Sequence, residues 1–269
     1  MKTTITQNLS IFGLCLAILL SPGCEDEDSP QDPPGDNEDD IPGYREGVGS
    51  SANELLSDKE FEHLVMELQF VVGNKPKEES LDNFESFLEN RLNKPGGIEV
   101  KEGKVISENS NEVKSEYSTS DIRNLEDEFR TEFSREDTIT AYMVFLNGNS
   151  ERDDDNARIL GLAYNNTSTA IFSETIEDIS GDGVTQPRRE RVEITVINHE
   201  MGHIMGLVDN GTPMQTDHKD EGRGAHCEVD DCLMYYTMKR DDLVEILLDS
   251  SNPELGEYCL EDLRANGGK

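Results

Sequence analysis

The stretch from residue 199 to residue 206 constrains this chain more than any other part of the sequence. It reads His-Glu-Met-Gly-His-Ile-Met-Gly, with the spacing H-E-x-x-H-x-x-G. Side chains four positions apart lie on one face of an α-helix, so His199 and His203 are predicted to hold one zinc ion. Glu200 lies beside them, where it can act as general base on a water at the metal. The spacing therefore predicts the active-site helix of a metal hydrolase.

The residues around this motif favour a buried helix. Apolar residues precede the motif and continue through it, at positions 192, 194, 196, 197, 201, 204 and 205, as in a helix that is mostly buried. Gly206 fits the helix C-terminus, because a left-handed backbone costs glycine little. We therefore expect this helix to end at Gly206.

Charge limits the partners of the chain. Its 269 residues include 58 acidic and 24 basic ones, giving a formal net charge of −34. Phosphate binding needs clustered Lys and Arg, so we expect no nucleic acid partner, and an anionic membrane surface is disfavoured for the same reason. The acid excess indicates a solvated, soluble surface.

Residues 1–24 are typical of an export signal. An apolar run over residues 11–20 is too short to span a bilayer comfortably, and it ends in Ser-Pro-Gly-Cys at Cys24. This end resembles a bacterial lipoprotein signal, although its Ser and Pro depart from the stricter form. The resemblance implies an outer-membrane lipoprotein, periplasmic or at the cell surface, attached to the membrane only through a lipid on Cys24. The alternative is an ordinary secretory signal in which Cys24 has no role. Both predict export.

The remaining chain is predicted to be a linker followed by one folded domain. Residues 25–43 are acidic and rich in Pro and Gly, so they cannot bury enough apolar surface to fold and should act as a tether. Within residues 44–269, patterning predicts strands over 61–72 and 138–146, helices over 81–92 and 120–133, a hairpin over 98–106, and a strand or hairpin over 159–172. A loop over 179–189 leads into the zinc helix.

The third zinc ligand has three candidates. A catalytic zinc usually takes three protein ligands and a water, and Asp209, His218 and His226 follow the motif. His226 opens the segment His-Cys-Glu-Val-Asp-Asp-Cys-Leu-Met, which places Met234 eight residues after it. The motif and this segment resemble the metzincin metallopeptidases, in which the third zinc His precedes the Met of a turn beneath the metal. Matrixins and archaemetzincins share the eight-residue spacing, so the resemblance implies His226 as ligand and Met234 as the Met-turn residue.

The spacer before His226 departs from the metzincin pattern. Metzincins usually place the third His three residues after the Gly, whereas His226 follows Gly206 by 20 residues. Residues 208–225 must therefore loop out and return, as longer insertions do in leishmanolysin-like metzincins. Asp209 stands at the position where some metzincins use Asp as a ligand, and His218 lies inside the insertion. Both stay open as alternatives.

The resemblance implies a fold and an activity. The fold is α+β and metzincin-like, with a twisted mixed sheet, the zinc helix, an N-terminal subdomain to about residue 206 and a small C-terminal subdomain over 207–269. The strand within 159–173 would align an extended protein or peptide substrate by main-chain pairing. One zinc ion, with Glu200 as general base, would make the chain an endopeptidase. Tyr236 matches the Tyr that astacins and serralysins place beside zinc, where it could stabilise an oxyanion.

The cysteines and aspartates give further expectations. Cys227 and Cys232 are expected to form a small-loop disulfide. Archaemetzincins bind a second zinc through four cysteines, but this chain has three beyond the signal and no Cys-x-x-Cys, so we expect no second zinc. Residues 153–155, with Asp178 and Asp182, could line a Ca²⁺ site, although a solvated acidic loop explains them as well.

Two other functional classes compete with the peptidase. One is a non-catalytic zinc-containing surface lipoprotein with a binding or adhesion role, which would not need Glu200 as a base. The other is a gluzincin-type peptidase with a downstream Glu as third ligand. Gly206 at the end of the helix and the spacing from His226 to Met234 argue against it.

Overall fold

The computed structural model describes residues 43–154, 157–181, 185–235, 247–248 and 252–269. The predicted signal with Cys24 and nearly all of the predicted linker lie outside the described residues, as do Asp182 and Tyr236. Within the described ranges, seven strands and six α-helices form a mixed α+β fold. The strands are β1 (His63–Phe70), β2 (Gly97–Glu102), β3 (Glu116–Tyr117), β4 (Thr138–Leu146), β5 (Asn149–Ser150), β6 (Gly161–Asn165) and β7 (Ser168–Phe172). The helices are α1 (Ala52–Leu56), α2 (Glu78–Arg91), α3 (Thr119–Phe129), α4 (Ser173–Ile179), α5 (Arg189–Ile204) and α6 (Glu257–Ala265).

Five strands form one mixed sheet in the order β2-β1-β4-β7-β6. The first four are parallel, with His63 opposite both Gly97 and Thr138. β6 pairs antiparallel with β7 and is an edge strand of this sheet. β3 and β5 form a separate two-stranded parallel ribbon.

Two apolar clusters lie on opposite faces of the sheet. Successive side chains of a strand alternate between its faces, and β4 divides accordingly. Its residues 139, 141, 143 and 145 belong to the larger cluster, and its residues 142, 144 and 146 to the smaller. Buried residues of α2 and α5 join the larger cluster, and buried residues of α3 join the smaller. Helix α5, which carries the motif, therefore lies on one face of a sheet that is covered on both sides.

Most of the predicted elements are confirmed, with three differences. The expected hairpin over 98–106 is wrong, because β2 runs parallel to β1 and the Gly103 N–H donates to the Leu68 carbonyl at 2.7 Å. Helix α3 spans Thr119–Phe129 rather than 120–133: Ser118 is its cap and forms reciprocal hydrogen bonds with Asp121, and Phe133 lies beyond its end. Such a box pairs two backbone donors at once. Helix α4 was not expected. The strand or hairpin over 159–172 is a hairpin of β6 and β7.

Candidate metal centre

Helix α5 carries the H-E-x-x-H motif on its last two turns. Its apolar side belongs to the larger core cluster, and Met201 and Ile204 are fully buried. The helix ends at Ile204, and Gly206 follows with a φ of 72°. A Cβ at Gly206 would lie 2.7 Å from the Thr212 backbone nitrogen, so both conformation and space require glycine there. The expected helix and its glycine end are confirmed.

The insertion returns His226 to the two histidines of α5. The Nε2 atoms of His199 and His203 lie 3.1 Å apart, and those of His199 and His226 lie 3.3 Å apart. The three ligand atoms lie within 4.8 Å of one another, and all three side chains are half-buried. The structure thus brings together the two motif histidines and one of the three candidate third ligands.

Hydrogen bonds from Nδ1 to backbone carbonyls orient the rings of His199 and His226. His199 Nδ1 lies 2.7 Å from the Leu233 carbonyl oxygen, and His226 Nδ1 lies 2.6 Å from that of Arg223. A carbonyl only accepts, so each Nδ1 carries the proton and each Nε2 turns an unshared pair towards the other rings. Ligating histidines in proteins are commonly held in this way.

The spacing of the three nitrogens fits a metal ion. Tetrahedral zinc with bonds of roughly 2.0–2.1 Å separates its nitrogen ligands by roughly 3.3 Å. The measured separations of 3.1 and 3.3 Å agree with that value. The unshared Nε2 pairs of His199 and His226, 3.3 Å apart, can both be satisfied by one cation between the rings. The donor set therefore fits a small divalent cation with imidazole preference.

Burial keeps these imidazoles neutral. It lowers the pKa of His199 to about 4 and that of His203 well below its usual value. Burial also lowers the pKa of His226. Neutral rings are the form that binds metal, so the site is ready for a cation near neutral pH.

The other two candidate ligands lie elsewhere. Asp209 is exposed, has a φ of 60° and lies 4.0 Å from the Lys219 ammonium. His218 is buried, and its Nδ1 lies 3.2 Å from Cys227 Sγ. The structure places neither in the histidine triad.

Glu200 is buried between α5 and the edge strand β6. It accepts a hydrogen bond from the Ala163 backbone N–H, and burial raises its pKa to about 8. A Cβ on Gly161 would lie 2.7 Å from Glu200 Oε1 and 2.6 Å from its Cγ. Glycine at the start of β6 therefore makes room for the carboxylate beside the triad.

Met234 lies beneath the zinc helix. It is fully buried, and its sulfur would lie 2.3 Å from a Cβ on Gly202. The Leu233 carbonyl next to it orients His199. Met234 thus packs against Gly202, on the turn of α5 that carries His199 and His203, and its role as a Met-turn residue stays a prediction.

The remaining site predictions have separate outcomes. Asp153 and Asp154 accept hydrogen bonds from the Ile159 and Ala157 backbone N–H groups, each at 2.8 Å, as turn residues do. Among the described residues, the metal-competent groups are the histidine triad and a set containing His218, Cys227 and Cys259. Tyr236 lies outside the described residues.

The expected Cys227–Cys232 disulfide is not formed. Cys227, Cys232 and Cys259 are all free and buried. Cys232 Sγ lies 3.6 Å from Cys259 Sγ, and His218 is adjacent to Cys227. The sequence did not predict that these four residues lie together. Cys232 and Cys259 are 27 positions apart, and His218 was a candidate ligand only for the catalytic metal. His218 stands in the polar stretch Thr-Asp-His-Lys-Asp, so the sequence offered no signal of its burial.

Comparison with known proteins does not assign the chain to a family. No protein-family model matches the sequence, and no curated protein matches it at a significant level. None of the helices within the described ranges combines the length and apolarity needed to cross a bilayer.

Proposed function

We propose that this protein is an exported zinc endopeptidase. One observation carries the proposal: three imidazole nitrogens converge at the end of the helix on which the buried Glu200 directly follows His199. A site that held zinc only for structure would take a fourth protein ligand and would not need a carboxylate beside the metal. Three nitrogen ligands and a neighbouring base form the set that peptide hydrolysis requires.

The three histidines and Glu200 have different roles in the proposed hydrolysis. His199, His203 and His226 hold the metal, which when bound supplies a polarised carbonyl and a water that ionises near neutral pH. Glu200 accepts a proton from the attacking water and passes it to the leaving amine. Burial brings the pKa of Glu200 to about 8, near the working pH of a general base. A bound cation would lower that pKa by attraction.

The edge strand β6 supplies the binding surface for the substrate. It pairs with β7 on one side and lies beside Glu200 at Gly161. An extended peptide can add to such an edge by main-chain hydrogen bonds, which would place its scissile bond next to the metal. A protein or peptide substrate bound in mid-chain fits this geometry, so we propose endopeptidase action. Attachment through a lipid on Cys24 is proposed from the sequence alone.

Peptide cleavage tests the proposal. The chain from residue 25 onward is incubated with a mixed peptide pool, and products are read by mass spectrometry. Glu200→Gln should keep its metal and lose roughly 100- to 10,000-fold in rate, the usual contribution of a general base. The exposed Glu261 on α6 provides the matched control, and Glu261→Gln should cleave normally. If the unaltered protein binds metal and leaves every peptide intact, the binding or adhesion lipoprotein replaces the peptidase.

A further inference from the structure

A second group of ligands lies apart from the catalytic triad. His218, Cys227, Cys232 and Cys259 are each at most 3 % exposed. Sγ of Cys232 lies 3.6 Å from Sγ of Cys259, and Nδ1 of His218 lies 3.2 Å from Sγ of Cys227. Cys227 also lies within 4.8 Å of Cys259 and hydrogen-bonds with Cys232. His218, Cys227 and Cys259 thus meet at one buried point, and Cys232 borders it through Cys259.

Two features prepare this group to donate electron pairs inwards. The Gly256 and Met234 backbone N–H groups point at Cys232 Sγ, at 3.2 and 3.4 Å, so this sulfur is placed as an acceptor. His218 Nε2 lies 2.8 Å from Asp262 Oδ2. The carboxylate holds the proton on Nε2 and leaves the Nδ1 pair directed at Cys227. A carboxylate behind a histidine is a recurrent outer support of metal ligands.

Against the expectation from the sequence of no second zinc, we infer that His218 takes the place of a fourth cysteine and that His218, Cys227, Cys232 and Cys259 bind a second, structural zinc ion. Three cysteines and one histidine are an established tetrahedral set for structural zinc. Bonds of roughly 2.3 Å to sulfur and 2.0–2.1 Å to nitrogen separate the ligand atoms by roughly 3.5–3.8 Å. The measured 3.2 and 3.6 Å lie close to that range. On binding, the three thiols release their protons to solvent, and all four ligand positions are filled by protein.

The position of the site explains what it does. The insertion folds back so that the Lys219 and Cys227 backbones pair, with Glu228 N–H donating to the His218 carbonyl at 2.9 Å. Cys227 directly follows His226, and Cys232 lies two residues before Met234. The fourth ligand, Cys259, lies on α6. One ion would therefore fix the insertion, the third catalytic ligand and the Met-turn to the C-terminal helix.

Metal counting on the full-length chain tests the inference without an assay of activity. We expect two zinc ions per chain by elemental analysis. His203→Ala, which removes a triad ligand, should keep one ion. With cobalt in place of zinc, that variant should show the charge-transfer absorption of thiolate ligands. Asp262→Asn should weaken this ion's affinity by about 10- to 100-fold, as losses of outer support do, and Cys259→Ser should weaken cobalt binding and reduce the sulfur absorption.

Three results would overturn the inference. One is a His203→Ala protein that folds but binds no metal. Another is a cobalt spectrum without sulfur bands. The third is a Cys232–Cys259 disulfide in protein purified with zinc. If Cys259→Ser fails to fold, the His203→Ala spectrum still decides. The measurement does not depend on the proposed peptidase activity, so each proposal can fail alone.

Discussion

The sulfur of Met234 occupies the space that a side chain on Gly202 would need. A Cβ at Gly202 would stand 2.3 Å from Sδ and 3.2 Å from the Met234 methyl carbon. Gly202 is the residue before His203, so this contact seats the turn of α5 that carries the candidate metal ligands on Met234. The second x of the H-E-x-x-H motif, Gly202, therefore cannot accept a side chain in this protein unless Met234 moves.

Gly202→Ala should destabilise the protein by about 1–3 kcal/mol, the usual cost of overpacking a core. It should also weaken metal binding at the triad. In a Met234→Ala background the same change should cost much less, because the clashing sulfur is gone. Thermal unfolding of the four proteins in this cycle measures the coupling. An equal loss of stability from Gly202→Ala with and without Met234→Ala would show that the Met234 sulfur does not restrict residue 202.

Gly161→Ala should impair peptide cleavage while leaving metal binding intact. The added methyl would lie within 2.6–2.7 Å of Glu200 Cγ and Oε1, so the carboxylate must move away from the triad. We expect a fall in kcat with one equivalent of triad metal retained. Gly222→Ala is the matched control, since the nearest atom to its Cβ is 3.5 Å away. A fully active Gly161→Ala enzyme would argue against Glu200 as the base.

Acid should release the triad metal only well below neutrality. Protons compete with the metal for Nε2, and a lowered pKa moves that competition to lower pH. Because burial lowers the pKa of His199 to about 4, zinc affinity should stay nearly constant between about pH 8 and 6. It should fall as the pH approaches 4. Chelator competition at each pH measures this, with His203→Ala subtracted as the blank, and half-release near an ordinary histidine pKa of about 6.5 would refute it.

Replacing the third-ligand candidates should separate the two metal sites. His226→Ala should lower the zinc affinity of the triad, because only two imidazoles remain. Asp209→Ala should leave both sites unchanged, since Asp209 is exposed and faces Lys219. His218→Ala should lower the zinc affinity of the proposed second site, which His218 forms with the three cysteines, and should leave the triad affinity unchanged. Isothermal titration of each variant reads these effects, and triad zinc that survives His226→Ala undiminished would reopen the assignment.

Lys94 should contribute to stability through its buried ammonium. Its Nζ donates to the carbonyls of Glu54, Ser57 and Phe61 at 2.5–2.7 Å. Lys94→Met leaves these acceptors without their donor, which should cost about 1–3 kcal/mol. The exposed Lys104 is the control, and Lys104→Met should change the melting temperature little. Identical denaturation curves for the two variants would contradict this role.

Much of the metal centre could be predicted from the sequence because its determinants are local. The period of an α-helix alone places His199 and His203 on one face. Gly206 marks the end of that helix through its own backbone freedom, and the strands at 63–70 and 138–146 show in their apolar runs. The edge hairpin at 161–172 was also predictable, since it pairs residues close in sequence.

Only the tertiary structure shows the contacts between residues that are far apart in the sequence. The segment from His226 to Met234 favoured His226 by resemblance, but 20 residues separate it from Gly206, and only the folded insertion brings it to His199. The hairpin expected after residue 98 failed for the same reason: β2 pairs with β1, across a helix, rather than with its neighbour in sequence. The meeting of His218 and Cys227 with Cys232 and Cys259 is likewise long-range. Local periodicity determines which residues share a face, whereas the packing of separate segments determines which faces meet.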